Sequence, residues 1–176
     1  MLKVILLVAV VLVGIVLIYA AMRPDELQVE RNIDIQAKSE KVFNLINDFH
    51  RWQEWTPYNK DPAMQKNYSG SASGQGAKYA WEGDKNVGKG EISITSSTPL
   101  KEITLDLHMI QPFEGRNVVV FSLNEAQGVT HVTWSMMCKQ SFVPKLLGLF
   151  MDMDKMIGGD FEQGLSNLKT VAEKQG

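Results

Sequence analysis

"VERNIDIQAKSEKVFNLINDFHRWQEWTPYNKDPAM", residues 29–64, changes its periodicity twice. Leu27, Val29, Ile33 and Ile35 alternate with Gln28, Glu30, Asn32 and Asp34, the period of a half-buried strand. Arg31 falls on the apolar face of that strand. From Ser39 the spacing lengthens. Val42, Phe43, Leu45, Ile46 and Phe49 recur as on one face of a helix, with Ser39 placed to cap it. Trp52, Trp55 and Pro57 then arrive where the helix should end, so two of the chain's four tryptophans stand in an irregular turn. Rings this dense either fill the core at a helix–sheet corner or cover the mouth of a pocket.

Downstream, strand-like runs follow one another. "AMQKNYSG" is the weakest. "AKYAWEG" puts Tyr79 and Trp81 on one face, and "GKGEISITSS" does the same for Ile92 and Ile94. "EITLDLHMI" is the cleanest, with Ile103, Leu105, Leu107 and Met109 opposite Glu102, Thr104, Asp106 and His108. In "NVVVFSL", Asn117 shares parity with Val119, Phe121 and Leu123. In "VTHVTWSMMC", Val132, Trp134, Met136 and Cys138 share a face. Turn residues such as Ser69-Gly70, Gly83-Asp84 and Gln127-Gly128 separate the runs, and the short links predict an antiparallel meander. From Pro144 an apolar stripe at helical spacing runs to the carboxyl end through Phe150, Met153, Ile157, Phe161, Leu165 and Leu168. Gly158 and Gly159 interrupt it, predicting a kink, a close approach to the sheet or a thin spot beside a cavity. The expected class is α+β: about seven strands in a curved antiparallel sheet wrapped on a long carboxyl-terminal helix.

Upstream, residues 4–22, "VILLVAVVLVGIVLIYAAM", carry no charge. At about 1.5 Å per residue they would reach across most of a hydrocarbon layer of roughly 30 Å. The run is longer than a signal-peptide core, its small-residue cleavage site is weak, and no face is polar as in a soluble core helix. Residues 1–24 are therefore expected to be an uncleaved transmembrane signal anchor, with residues 25–176 as the globular domain. Lys3 before the span favours the amino tail inside and the domain on the extracytoplasmic side.

Composition narrows the function. Apolar residues make up 44% and charged residues 22%, with a net charge of −2, which gives nothing to neutralise a nucleic-acid backbone. The single cysteine, Cys138, excludes an internal disulfide and reads as a small buried hydrophobe. No Cys, His or carboxylate spacing points to a metal, and no nucleophile elbow or phosphate loop is present, so neither cofactor nor catalytic residue is expected. His108 and His131 lie on the polar faces of their strands, where solvent exposure is expected, and His50 stands near the tryptophan turn. Arg31 and Asn117 are the polar residues placed to meet a ligand. Arg31 could instead pair with Glu82 or Glu91. The methionines at 109, 136, 151, 153 and 156 suit a permissive apolar lining.

The motif Ile33, Ile35, Ala37, Glu40, Val42, Phe43, Trp52, Trp55 and Pro57 resembles the opening of the SRPBCC superfamily, the START-like helix-grip proteins that include the polyketide cyclase/dehydrase type. "YSGSASGQGAKYAWEG" and "GLFMDMDKMIGGDFEQGLSNLK" look like a membrane-anchored bacterial branch. The resemblance implies a helix-grip fold at a bacterial inner membrane and a hydrophobic or lipid-like small molecule as partner; it leaves protein partners open. The expected ligand contacts are Arg31, Trp52, Trp55, Tyr79, Trp81, Leu105, Leu107, Asn117, Phe121, Trp134 and Met153. Two other roles remain open: a cyclase or aromatase using Arg31, Asn117 and His50, and an interaction module with a filled core.

Overall fold

The computed structural model describes residues 1–140 and 142–174. An apolar helix, α1 (Leu2–Ala21), precedes a seven-stranded antiparallel sheet in the order β1-β7-β6-β5-β4-β3-β2. The strands are β1 (Glu26–Ile35), β2 (Gln65–Gly70), β3 (Ala77–Glu82), β4 (Lys89–Thr98), β5 (Glu102–Gln111), β6 (Gly115–Ala126) and β7 (Val129–Lys139). Between β1 and β2 lie α2 (Ser39–Ile46) and a short 3-10 helix (Phe49–Glu54). After β7 come α3 (Phe142–Leu147) and α4 (Met153–Glu173), with α4 packed across β1. This is the α+β helix-grip architecture, a curved antiparallel sheet closed by its last helix.

The expected continuous helix from Pro144 is instead two helices. Gly148 N–H donates to the Pro144 carbonyl as the short α3 closes, and the Asp152 carboxylate accepts from Lys155 N–H to start α4 afresh. Gly158 and Gly159 do not break α4, which runs on through them. Gly158 marks a close approach: a Cβ there would stand 2.0 Å from Arg31 Nη2. Ser39 is not the amino cap of α2. Its backbone N–H and hydroxyl both donate to Glu125 of β6, each at 2.7 Å, so a carboxylate from the sheet caps the helix. Those hydrogen bonds hold the Glu125 carboxyl below the usual carboxylate range.

Trp52 and Trp55 are buried, and their indoles finish the other end of α2. Trp52 Nε1 donates to the Ile46 carbonyl at 2.8 Å and Trp55 Nε1 to the Leu45 carbonyl at 3.0 Å. The last carbonyls of a helix have no partner within it. Here donors that also carry large apolar surface meet that need inside the core.

Candidate functional site

Register divides the concave face of the sheet into cross-strand rows. The row Ile94–Leu105–Val119–Met136–Val29 is buried throughout. Beyond it, away from α1, Ile103, Phe121 and Trp134 line up with Arg31. Phe121 and Trp134 meet the tryptophan turn and α4. Ring centroids lie 5.8 Å apart for Trp55–Trp134, 6.0 Å for Trp55–Phe121 and 4.8 Å for Phe121–Trp134. Trp134 stacks on Phe161 of α4 at 4.1 Å. A Cβ at Gly164 would stand 2.7 Å from the Trp134 ring and 3.0 Å from Pro57, so this half of the grip is closed by the protein's own rings. Trp134 Nε1 is buried there without an acceptor among the described residues.

Toward the end where α1 joins, burial falls. The next row is Tyr68–Tyr79–Ile92–Leu107–Asn117–Cys138–Leu27, and all of it except Ile92 is half-buried. The outermost row is Trp81–Gly90–Met109–Gly115. Trp81 lies over Gly90, where a Cβ would come within 2.6 Å of its ring, whereas a Cβ at Gly115 would meet nothing within 4 Å. Tyr68, Tyr79 and Trp81 stack in sequence at 5.1 and 5.7 Å, and His50 stacks on Tyr68 at 4.3 Å. At the β1 edge of these rows a cleft of about 530 Å³ opens, lined by Leu27, Gln140, Leu149, Phe150, Met151 and Met153 among others. A depression of about 490 Å³ at the far end of the grip is lined mainly by charged and polar groups, including Lys38, Glu40, Lys41 and Glu173.

The expected contact residues thus separate into two sets. Trp52, Trp55, Leu105, Phe121 and Trp134 are buried in the closed half. Tyr79, Trp81, Leu107, Asn117 and Met153 are half-buried on or beside the open rows. Arg31 stands at the β1 edge of the closed half, in the Phe121–Trp134 row, and pairs with neither Glu82 nor Glu91. Its Nε lies 2.7 Å from Glu162 and its Nη2 3.0 Å from Asp154, one turn of α4 on either side of Gly158, because the missing side chain lets the guanidinium lie across the helix. These hydrogen bonds raise the Arg31 pKa and hold the Asp154 carboxyl below its usual range. His50 is exposed, with Nδ1 3.0 Å from Asp48. His131 is exposed beside Asp34, whereas His108 is not: it sits half-buried on the outer face between Glu91 at 3.3 Å and Glu114 at 3.5 Å. Of the methionines, 136 is buried, 109 and 153 are half-buried, and 151 and 156 are exposed. Leu27, Cys138, Leu149 and Phe150 were not among the expected contacts. The parity of Leu27 and Cys138 was readable, but their place at the open end depends on how far α4 covers the sheet.

A seven-stranded grip closed at one end and half-open at the other defines the chain as a helix-grip protein. It belongs to the family described as polyketide cyclase / dehydrase and lipid transport, whose model matches residues 26–173. Among solved structures it is similar to a protein of Chromobacterium violaceum, with 13% identity and a TM-score of 0.61, over 87% of this chain and 100% of that one. CalU16 of Micromonospora echinospora is similar at 14% identity and a TM-score of 0.56, covering 84% and 85% of the two chains. The Aha1 dimer of Colwellia psychrerythraea is similar at 17% identity and a TM-score of 0.60, covering 84% and 96%. At such identities the likeness concerns the fold alone. No curated protein matches the sequence.

Proposed function

We propose that the chain is a membrane-tethered domain that binds a small hydrophobic or lipid-like molecule without catalysis, on the open rows rather than in the closed half. The fall in burial along one sheet face carries this reading. Leu105 and Leu107 share a strand, a face and a residue type, yet Leu105 is fully buried and Leu107 is not. Half-exposed apolar rows beside a cleft are what a guest would complete. The polar groups on them include Asn117, which can donate to or accept from a head group, the Tyr68 and Tyr79 phenols, whose pKa values burial raises, and the Cys138 thiol, pushed up to about 11 by burial; the phenols and the thiol are thus kept neutral. Arg31 is already held by two carboxylates. These groups suit binding better than acid–base work on a ring closure.

The full chain in phospholipid nanodiscs, exposed to a diazirine-bearing fatty acid and irradiated, tests the proposal. Label is expected on peptides spanning residues 103–119 as well as on α1. Leu107→Trp, which fills the row, should remove the sheet label and leave that on α1. Label confined to residues 2–21 in both proteins would end the binding role. It would favour an interaction module instead, a reading that the ring-filled half of the grip supports.

A further inference from the structure

The end of the grip that carries the open rows also carries the most exposed apolar side chains of the globular part, although Leu100 is exposed at the opposite end. Phe150 is 77% exposed and Phe113 66% exposed; Phe142, Val143, Leu147 and Met151 are exposed as well. They come from two places in the sequence: α3 with the turn after it, and the turn between β5 and β6. Pairing puts both at one end of the sheet, because Glu26 opposes Lys139 and Asn117 opposes Cys138. α1 joins the domain at that same end.

α3 is held against the end of α1. Ala20 is fully buried, Arg23 Nη1 donates to the Gly148 carbonyl at 2.6 Å, Gln140 N–H donates to the Asp25 carbonyl at 2.7 Å, and Lys145 pairs with the Asp25 carboxylate. Twenty helical residues span roughly 30 Å, the depth of a hydrocarbon layer, so the last turn of α1 would sit at its boundary. Whatever is clamped beside that turn lies at the same depth. A short element showing Phe, Val and Leu outward at that level has the character of an interfacial segment.

We infer that α3 and the following turn, with Phe113 beside them, form a docking surface for the bilayer into which α1 inserts, setting the open rows of the grip directly on the lipid. The inference rests on the reading of α1 as membrane-embedded. The occupant is a lipid surface rather than a protein because the patch is continuous with α1 and clamped to its last turn.

The test uses the full chain with Cys138→Ala, reconstituted in phosphatidylcholine/phosphatidylglycerol nanodiscs. An NBD label is attached in turn through Phe150→Cys, Leu147→Cys, Leu12→Cys and, at the opposite end of the sheet, Gln127→Cys. Spin-labelled lipid is expected to remove most of the emission at 150, 147 and 12 and to leave 127 unchanged. Quenching at 12 with 150 and 147 as bright as 127 would overturn the docking surface while leaving α1 in the membrane. Brightness at all four sites would overturn both. Quenching at 150 and 147 but not at 12 would overturn the inference as well, because the bilayer met would not be one into which α1 inserts. None of these results depends on whether the open rows bind a guest, which the fatty-acid labelling decides separately.

Discussion

The two halves of the concave face are built from the same strands with the same alternation, yet they end differently. On the side of α2 the sheet meets a wall of rings from the 3-10 helix and α4, and every row is filled. On the side of α1 the rows meet glycine or open space, and all of their large apolar side chains but Ile92 stay half-exposed. Alternation alone does not make a core. It makes a face, and the elements laid over that face decide which part becomes core and which part can receive a guest.

The hardest strike at this contrast is Trp55→Ala. It removes a nearly fully buried ring, its contacts with Phe121 and Trp134, and the donor to the Leu45 carbonyl. A loss of about 3–5 kcal/mol is expected from the cavity and the stranded carbonyl. Urea unfolding followed by circular dichroism measures it. A loss below about 1 kcal/mol would mean that the closed half is not packed as described. The paired test is Leu105→Ala against Leu107→Ala. The first should cost about 2–5 kcal/mol and the second about 1 kcal/mol or less. Equal losses would erase the distinction between the two rows.

The glycines of α4 sharpen the same contrast on a smaller scale. In Gly164→Ala the new methyl meets the Trp134 ring at 2.7 Å and Pro57 at 3.0 Å, neither free to move. Overpacking should outweigh the gain in helix propensity, for a net loss of about 1–2 kcal/mol. In Gly158→Ala the methyl meets only the Arg31 guanidinium, the end of a flexible and partly exposed side chain. Arg31 can swing out and surrender two surface ion pairs of little worth, so this variant should be close to neutral in the same urea assay. A Gly158→Ala loss as large as that of Gly164→Ala would show Arg31 to be pinned.

Much of this architecture was legible. The alternation of 27–35 and 103–109 gave strand, face and parity, and the family motif through Trp52, Trp55 and Pro57 gave the grip. Parity could not say where α4 would lie, because its start depends on the Asp152 cap and the break after Leu147, both hidden inside one continuous apolar stripe. The roles of Trp52 and Trp55 were half-readable. A helix ending at Ile46 leaves carbonyls in need of donors, and two indoles within ten residues can supply them. The hold on Arg31 was not readable, since Asp154 and Glu162 are more than 120 residues away and Gly158 only hints at a close approach.

The smallest effect expected is on pH, and it tests how the closed half is tied at its edge. Glu125 is held below its usual range by the Ser39 backbone N–H and hydroxyl, and Glu173 by Lys169 and the Gln36 N–H. A carboxylate whose folded pKa is depressed contributes its full stabilisation above its unfolded pKa and loses it as pH falls through the folded value. Stability should therefore hold near neutrality and decline below about pH 4.3, the ordinary glutamate value. Glu125→Gln keeps an oxygen that can accept from Ser39 but no longer titrates. In urea titrations at successive pH values its midpoint should fall less on acidification than that of the unaltered protein. An identical acid slope in the two proteins would show that the sheet carboxylate does not hold α2 by its charge, and that the closed half is tied by its rings alone.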